Sequence, residues 1–239
     1  MARTSIKKTV RSVYIKPVFE QYRSLVITQG EGFTAPLGDL VRTSSFGIRI
    51  GYKWNVFELE TGLSTLRPFA GYRYQLTGST GYTTVTRSTD FYHLPVIFRY
   101  QLWQPIKKLS LRIGAGVAYN IDLNKFPLAP TGVSQEFTQD ANANRIILAR
   151  TQSQYEQQKS FYSRELNLSA QYHLFAHFST TLDIRRLFGP MDVVRYTATQ
   201  QTFNPPAFRT VESRGEANSL SINLSLMYQF GFTNRYRLN

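Results

Sequence analysis

Cysteine is absent from the 239 residues, and tryptophan, histidine and methionine are scarce at two, three and three. Without cysteine the chain has neither a disulfide framework nor a thiolate metal site, and it is compatible with an oxidising compartment. No run of about 18 apolar residues occurs, which excludes a transmembrane helix but not a membrane protein built of strands. Acids are in short supply, with 15 Asp and Glu against 28 Lys and Arg and a formal charge of +13. No linker divides the chain, and its length suits one domain. The N-terminus, Met1-Ala-Arg-Thr-Ser-Ile-Lys-Lys, lacks the apolar core of a signal peptide. A processed form with Met1 as an added start is expected, with a cytoplasmic protein as the other reading.

What the chain has in quantity is aromatic residues, 15 Tyr and 17 Phe, beside a slightly negative mean hydropathy. That pairing suits a sheet whose apolar residues occupy one face only. The clearest segment is C-terminal: Leu220, Ile222, Leu224, Leu226, Tyr228, Phe230 and Phe232 alternate with Ser221, Asn223, Ser225, Met227, Gln229 and Gly231. This is the period of a strand. Leu109 to Ile121 repeats it, and a helix there would bury Arg112 among apolar neighbours. Six further segments follow the pattern: Ser12 to Leu25, Ser44 to Lys53, Val56 to Ala70, Asp90 to Leu102, Phe161 to His173 and Phe178 to Phe188. Their connections alternate in length. Lys53 to Asn55, Trp103 to Lys108 and Leu174 to His177 are short; Val26 to Thr43, Gly71 to Thr89, Leu123 to Ser160 and Gly189 to Ala217 are long and polar. Eight strands with this rhythm predict an all-β, antiparallel up-and-down transmembrane barrel of the outer membrane, with short periplasmic turns and long extracellular loops. The barrel is expected over residues 12–232, between a basic segment 1–11 and a basic tail 233–239.

Period 2 does not say which face points inward; charge does. The polar face carries Lys16, Arg49, Arg99, Arg112 and Arg185 together with Glu20, Glu58, Glu60, Glu165 and Asp183, five cations and five anions. Buried charges must be paired, so a neutral set fits a lumen. Eight strands enclose only enough space for their own side chains, which predicts a plug and not a pore. Trp54, Trp103, Tyr100, Tyr172, Tyr228 and Phe230 fall near the short turns, where an interfacial aromatic girdle belongs.

The same end carries Arg3, Lys7, Lys8, Arg11, Lys53, Lys107, Lys108, Arg235 and Arg237, a basic rim suited to anionic phospholipid headgroups or an acidic periplasmic partner. On the opposite surface Arg67, Arg73 and Arg87 are candidates to meet lipopolysaccharide phosphates. A nucleic-acid role has no recognition motif behind it. The expected partners are therefore outer-membrane lipids and an envelope protein, reached through the loops or the rim.

Chemistry-bearing residues are few. His173 and His177 flank a turn without an apparent third metal ligand. His93, near Asp90 at the outer end of its strand, is the one candidate base for a hydrolytic or lipid-modifying barrel. Gly114-x-Gly116 lies within a strand, where small residues relieve crowding in a narrow barrel, and is not a nucleotide loop. Ile146-Ile147-Leu148, in a Gln-, Asn- and Thr-rich loop, is expected to pack on the rim or touch a partner. No catalytic, cofactor-binding or metal residue is assigned, and no cofactor is expected.

Tyr92-His-Leu-Pro-Val-Ile-Phe-Arg-Tyr100, then Leu111-Arg-Ile-Gly-Ala-Gly-Val-Ala-Tyr119, with Phe57-Glu-Leu-Glu-Thr-Gly-Leu63, resembles the outer-membrane β-barrel family of Bacteroidota-type bacteria, which includes PorT-like proteins. The resemblance implies an exported eight-stranded barrel, either an anchor or a component of an envelope assembly, and leaves activity open. A non-enzymatic structural or partner-binding barrel leads; a lipid-modifying or hydrolytic barrel enzyme and a soluble barrel with an apolar interior are the alternatives.

Overall fold

In the computed structural model the described residues are 9–35, 40–75, 82–123, 131–139, 145–175, 177–203 and 206–234. They form strands only: β1 Thr9–Gln29, β2 Phe33–Thr34, β3 Leu40–Trp54, β4 Phe57–Leu66, β5 Phe69–Tyr74, β6 Thr83–Ser88, β7 Phe91–Ile106, β8 Leu109–Asp122, β9 Thr131–Gln139, β10 Arg145–Gln157, β11 Ser160–Phe175, β12 Phe178–Phe188, β13 Val194–Phe203 and β14 Pro206–Asn234. Strands β1, β3, β4, β7, β8, β11, β12 and β14 pair in that order, and β1 pairs back onto β14. Every pairing is antiparallel, so the ring is a closed, eight-stranded up-and-down barrel. Closure leaves no free edge inside the ring. The ladder runs from Thr9↔Asn234 upward, taking in part of the two basic terminal segments.

The alternation falls inside out for a water-soluble protein. Ile48, Ile50, Leu59, Val96, Phe98, Ile113, Leu168, Ile184, Ile222 and Leu224 are exposed, whereas the lysine, arginines and carboxylates between them are buried. The interior is polar, so the soluble barrel with an apolar core does not hold. At one end the chain turns tightly. Asn55 adopts φ 55° in the two-residue link between Trp54 and Phe57, a left-handed conformation that asparagine tolerates. Strand β7 also extends to Ile106, shortening the expected turn there to Lys107-Lys108.

At the other end the segments read as long polar loops contain six strands. Above the point where β12 stops, β13 takes its place beside the upper half of β14, and β10 and β9 continue that sheet outward. Strands β2, β5 and β6 form a small separate sheet. The segment expected as one strand from Val56 to Ala70 is therefore two. It breaks at Arg67-Pro68, where proline supplies no ladder donor, and resumes as β5. Close approach joins this sheet to the barrel: a Cβ added at Gly215 would lie 2.1 Å from the Phe69 carbonyl oxygen.

Tyr22, Leu66, Phe91, Phe161, Leu187 and Ala217, inward-facing at the outer ends of six barrel strands, are all buried and belong to one apolar cluster. Phe33, Tyr72, Tyr74, Tyr155, Val194, Tyr196 and Val211, from the strands above the ring, are among the others in it. Phe33 meets Tyr72 edge-on at 5.3 Å, and Tyr72 lies 5.5 Å from Tyr196. A hydrophobic cap thus sits on the charged lumen.

Candidate functional site: lumen, rim and outer surface

The lumen residues come from inward positions of seven strands: Lys16 and Glu20 from β1, Arg49 from β3, Glu58 and Glu60 from β4, Arg99 from β7, Arg112 from β8, Glu165 from β11, Asp183 and Arg185 from β12. Strand β14 lines the wall with the small polar side chains of Ser219, Ser221, Asn223 and Ser225 and with buried Met227. Two groups form. In the lower one, Glu58 joins Arg112 at 2.5 Å and Arg99 at 3.0 Å; Arg99 reaches Glu60 at 2.5 Å, and Glu60 meets Lys16 at 2.6 Å. Asp183 lies 3.6 Å from Lys16 and 3.8 Å from Arg99. In the upper one, Arg185 bonds Glu20 and reaches Glu165 at 3.0 Å. Arg49 stands between the groups, 4.0 Å from Glu60. All ten side chains are at most 5% exposed.

Several partners were not assigned from the sequence. The Tyr14 hydroxyl lies 2.5 Å from a Glu58 oxygen and 2.7 Å from a Glu60 oxygen, its one proton shared between the two carboxylates. Asn167 accepts from Arg99 at 3.2 Å. His93 is 1% exposed, with Nδ1 2.8 Å from the Asn120 side-chain oxygen and Nε2 3.2 Å from Arg185. A proton on Nδ1 satisfies both contacts, because Arg185 can only donate. His93 therefore lies buried in the lumen and not at the outer surface beside Asp90; that carboxylate is held by Arg67 at 2.5 and 2.9 Å. The available signal was parity, since Tyr14 shares a face with Lys16 and His93 shares one with Arg99.

Glycine makes the packing feasible. A Cβ at Gly51 would lie 2.0 Å from the Tyr14 ring, and one at Gly114 would lie 2.7 Å from the Arg99 side chain. The space left beside Lys16, Arg49 and Arg185 is about 10 Å³, roughly one water.

The barrel's outside is equally specific. Its apolar belt ends at the short turns in a band of rings, with Tyr52 5.7 Å from Trp54, Trp54 5.9 Å from Phe57, Phe57 5.4 Å from Tyr100 and Tyr228 4.7 Å from Phe230. Trp103 and Tyr172 are exposed at the same end. A closed antiparallel ring with a lipid-facing exterior, an aromatic border and a charged interior is the architecture that outer membranes use. The protein is an eight-stranded outer-membrane β-barrel.

No family model matches the sequence, and no curated protein matches it. Among solved structures, the outer membrane protein OprG from Pseudomonas aeruginosa is similar at 11% identity, covering 92% of this chain and 95% of its own, with a TM-score of 0.47. Neisserial surface protein A is 10% identical over 91% of this chain and 97% of its own, at 0.43. The N-terminal β-barrel domain of Pseudomonas aeruginosa OprF is 10% identical over 90% and 97%, at 0.38. Likeness at this level adds nothing to what the barrel's own geometry establishes.

Of the basic rim, Arg3, Lys7, Lys8, Arg235 and Arg237 lie outside the described residues. Arg11, Lys107 and Lys108 are exposed at the turn end. Lys53 departs from the group: it faces inward, half-buried, paired in register with Glu58 at the lumen mouth. The turn histidines go separate ways, His173 to the Ser179 hydroxyl at 2.9 Å and His177 to the Gln229 carbonyl at 3.1 Å. On the outer surface Arg67 is taken up by Asp90, and Arg73 lies 3.9 Å over the Tyr82 ring, while Arg87 is exposed on β6. Ile147 and Leu148 are part of β10, the first exposed and the second half-buried; the side chain of Ile146 lies outside the description. Burial pushes the hydroxyl of Tyr155, on the same strand, up to about 12, with the Asp122 carboxylate adding to the shift.

Proposed function

We propose that the protein is a non-enzymatic, partner-binding component of the outer membrane, of the Bacteroidota-type family whose strand patterns it resembles, and that it acts at its ends and not through its lumen. The observation that carries this reading is the outer edge of β9. This nine-residue strand, Thr131–Gln139, pairs with β10 on one side and, among the described residues, with no strand on the other. Its sequence, TGVSQEFTQ, has neither the proline nor the lysine that protects exposed edges. Val133 is 58% exposed there. Such an edge accepts an extended segment of another protein by strand addition. The filled lumen supports the same reading, because it leaves no conduit for a solute.

Isolation from native membranes in mild detergent tests the proposal. A specific envelope protein is expected to accompany the wild type and to be lost from Val133→Lys/Gln135→Lys, whose barrel remains heat-modifiable on a gel. An unchanged set of companions overturns the edge as the binding element. A changed lipid A structure in cells carrying His93→Gln overturns the non-enzymatic reading.

A further inference from the structure

Each of the five fully buried lumen cations has a carboxylate within 4.0 Å; one place on the barrel exterior does the reverse. Arg23 of β1 and Arg42 of β3 stand directly opposite each other in the ladder, both exposed on the outward face. Like charges in opposed positions destabilise a sheet. Neither arginine has an acidic partner among the described residues. On the far side of Arg23 the facing position is Leu220, and the next strand beyond places Arg186 in the same row.

The surface around this pair is concave. A groove of about 250 Å³ is lined by Arg23, Arg42, Gln21, Leu220 and Ile222. Further toward the membrane centre on the same three strands, a second groove of about 340 Å³ is lined by Pro17, Phe19, Phe46, Leu224 and Leu226. The first lies where the exterior changes from apolar to polar, since Phe19 and Phe46 give way to Gln21 and Ser44 and then to the two arginines. The second lies wholly within the apolar belt. A ligand complementary to both has an anionic head and a hydrocarbon tail, and arginine's planar guanidinium suits a phosphate oxygen pair.

We propose that the β3–β1–β14 face is a binding site for a phosphorylated lipid of the outer leaflet, its headgroup phosphate between Arg23 and Arg42 and one acyl chain along Phe19, Phe46 and Leu224. The phosphate offsets the repulsion between the arginines. The site is independent of the β9 edge, so either can fail alone.

Native mass spectrometry of the detergent-folded chain tests the site, with bis-phosphorylated lipid A and its dephosphorylated form as probes. The wild type is expected to hold the phosphorylated lipid at least about ten-fold more tightly, as one or two charge-assisted contacts provide. Arg23→Gln/Arg42→Gln abolishes that preference while the barrel keeps its heat-modifiable migration; Arg42→Gln alone, at the end of β3, reduces it and serves if the double variant does not fold. Phe46→Ser weakens both lipids alike. Equal retention of the two lipids, or an unchanged preference in the variants, overturns the site. Displacement of the lipid by a matching concentration of inorganic phosphate overturns the lipid in favour of a simple anion site.

Discussion

The protein has two cores of opposite polarity, one above the other in the same strands. In the membrane-spanning ring the buried side chains include Lys16, Glu20, Arg49, Glu60, Arg99 and Arg185, with Val18, Ile97 and Met227 among them, and most of the apolar residues face out. In the cap the buried side chains are Phe33, Tyr72, Tyr74, Phe91, Tyr196 and Val211. The change occurs within two residues on six of the eight ring strands: Glu20 to Tyr22, Ser64 to Leu66, His93 to Phe91, Ser163 to Phe161, Arg185 to Leu187 and Ser219 to Ala217. The surroundings explain it. Against hydrocarbon an apolar side chain gains little by turning inward, and polar groups must find partners inside the ring. Above the membrane water returns, and burial of apolar surface again drives packing.

Removal of one member of the charged core is expected to have the largest effect. Glu60 meets Lys16, Arg99 and Tyr14, so Glu60→Leu removes the nearest carboxylate of two cations and leaves the buried set one negative charge short, with room for about one water to compensate. A loss of about 3–5 kcal/mol is expected. Urea unfolding of the detergent-folded barrel, read by gel migration, measures it; a loss below about 1 kcal/mol would mean that the network is less tightly coupled than its geometry implies.

The apolar core should fail locally. Tyr72→Ala removes a ring packed on Phe33, Tyr74 and Tyr196 and should cost about 3–4 kcal/mol, spent on opening the cap and not the ring. Limited proteolysis should then cut within the outer strands while the barrel stays heat-modifiable. Concerted loss of both would show that the two cores are one cooperative unit.

The third test compares the outer surfaces of the two regions. Leu168→Arg, midway along β11 on the lipid face, is expected to cost about 2–4 kcal/mol, whereas Thr84→Arg on exposed β6 should change stability by less than about 0.5 kcal/mol. Folding yield into vesicles of defined thickness distinguishes them, and equal yields would contradict a lipid-facing β11.

All eight ring strands were legible because lipid and lumen impose strict alternation on them. The outer strands were not. Val194–Phe203 alternates too, but its buried positions include Ala198 and Gln200, which carry little hydropathy contrast. Strand β9 exposes the successive residues Gly132, Val133, Ser134 and Gln135, so these positions show no alternation to mark it. Lys53 was misplaced because a charged residue beside a turn reads equally well as mouth or rim.

Sequence alone determined that the chain alternates every second residue, that eight segments do so, and that the cations and anions on their polar faces balance, because each of these is a local property of a strand between two solvents. Tertiary structure decided which charges meet. Arg185 reaches Glu20 across 165 residues and His93 across 92, since closure of β1 on β14 and the register of each ladder bring distant strands to one level. The cap, the β9 edge that has no second partner among the described residues, and the opposed arginines depend on the same registers, which relate the strands to one another and not to their own residues.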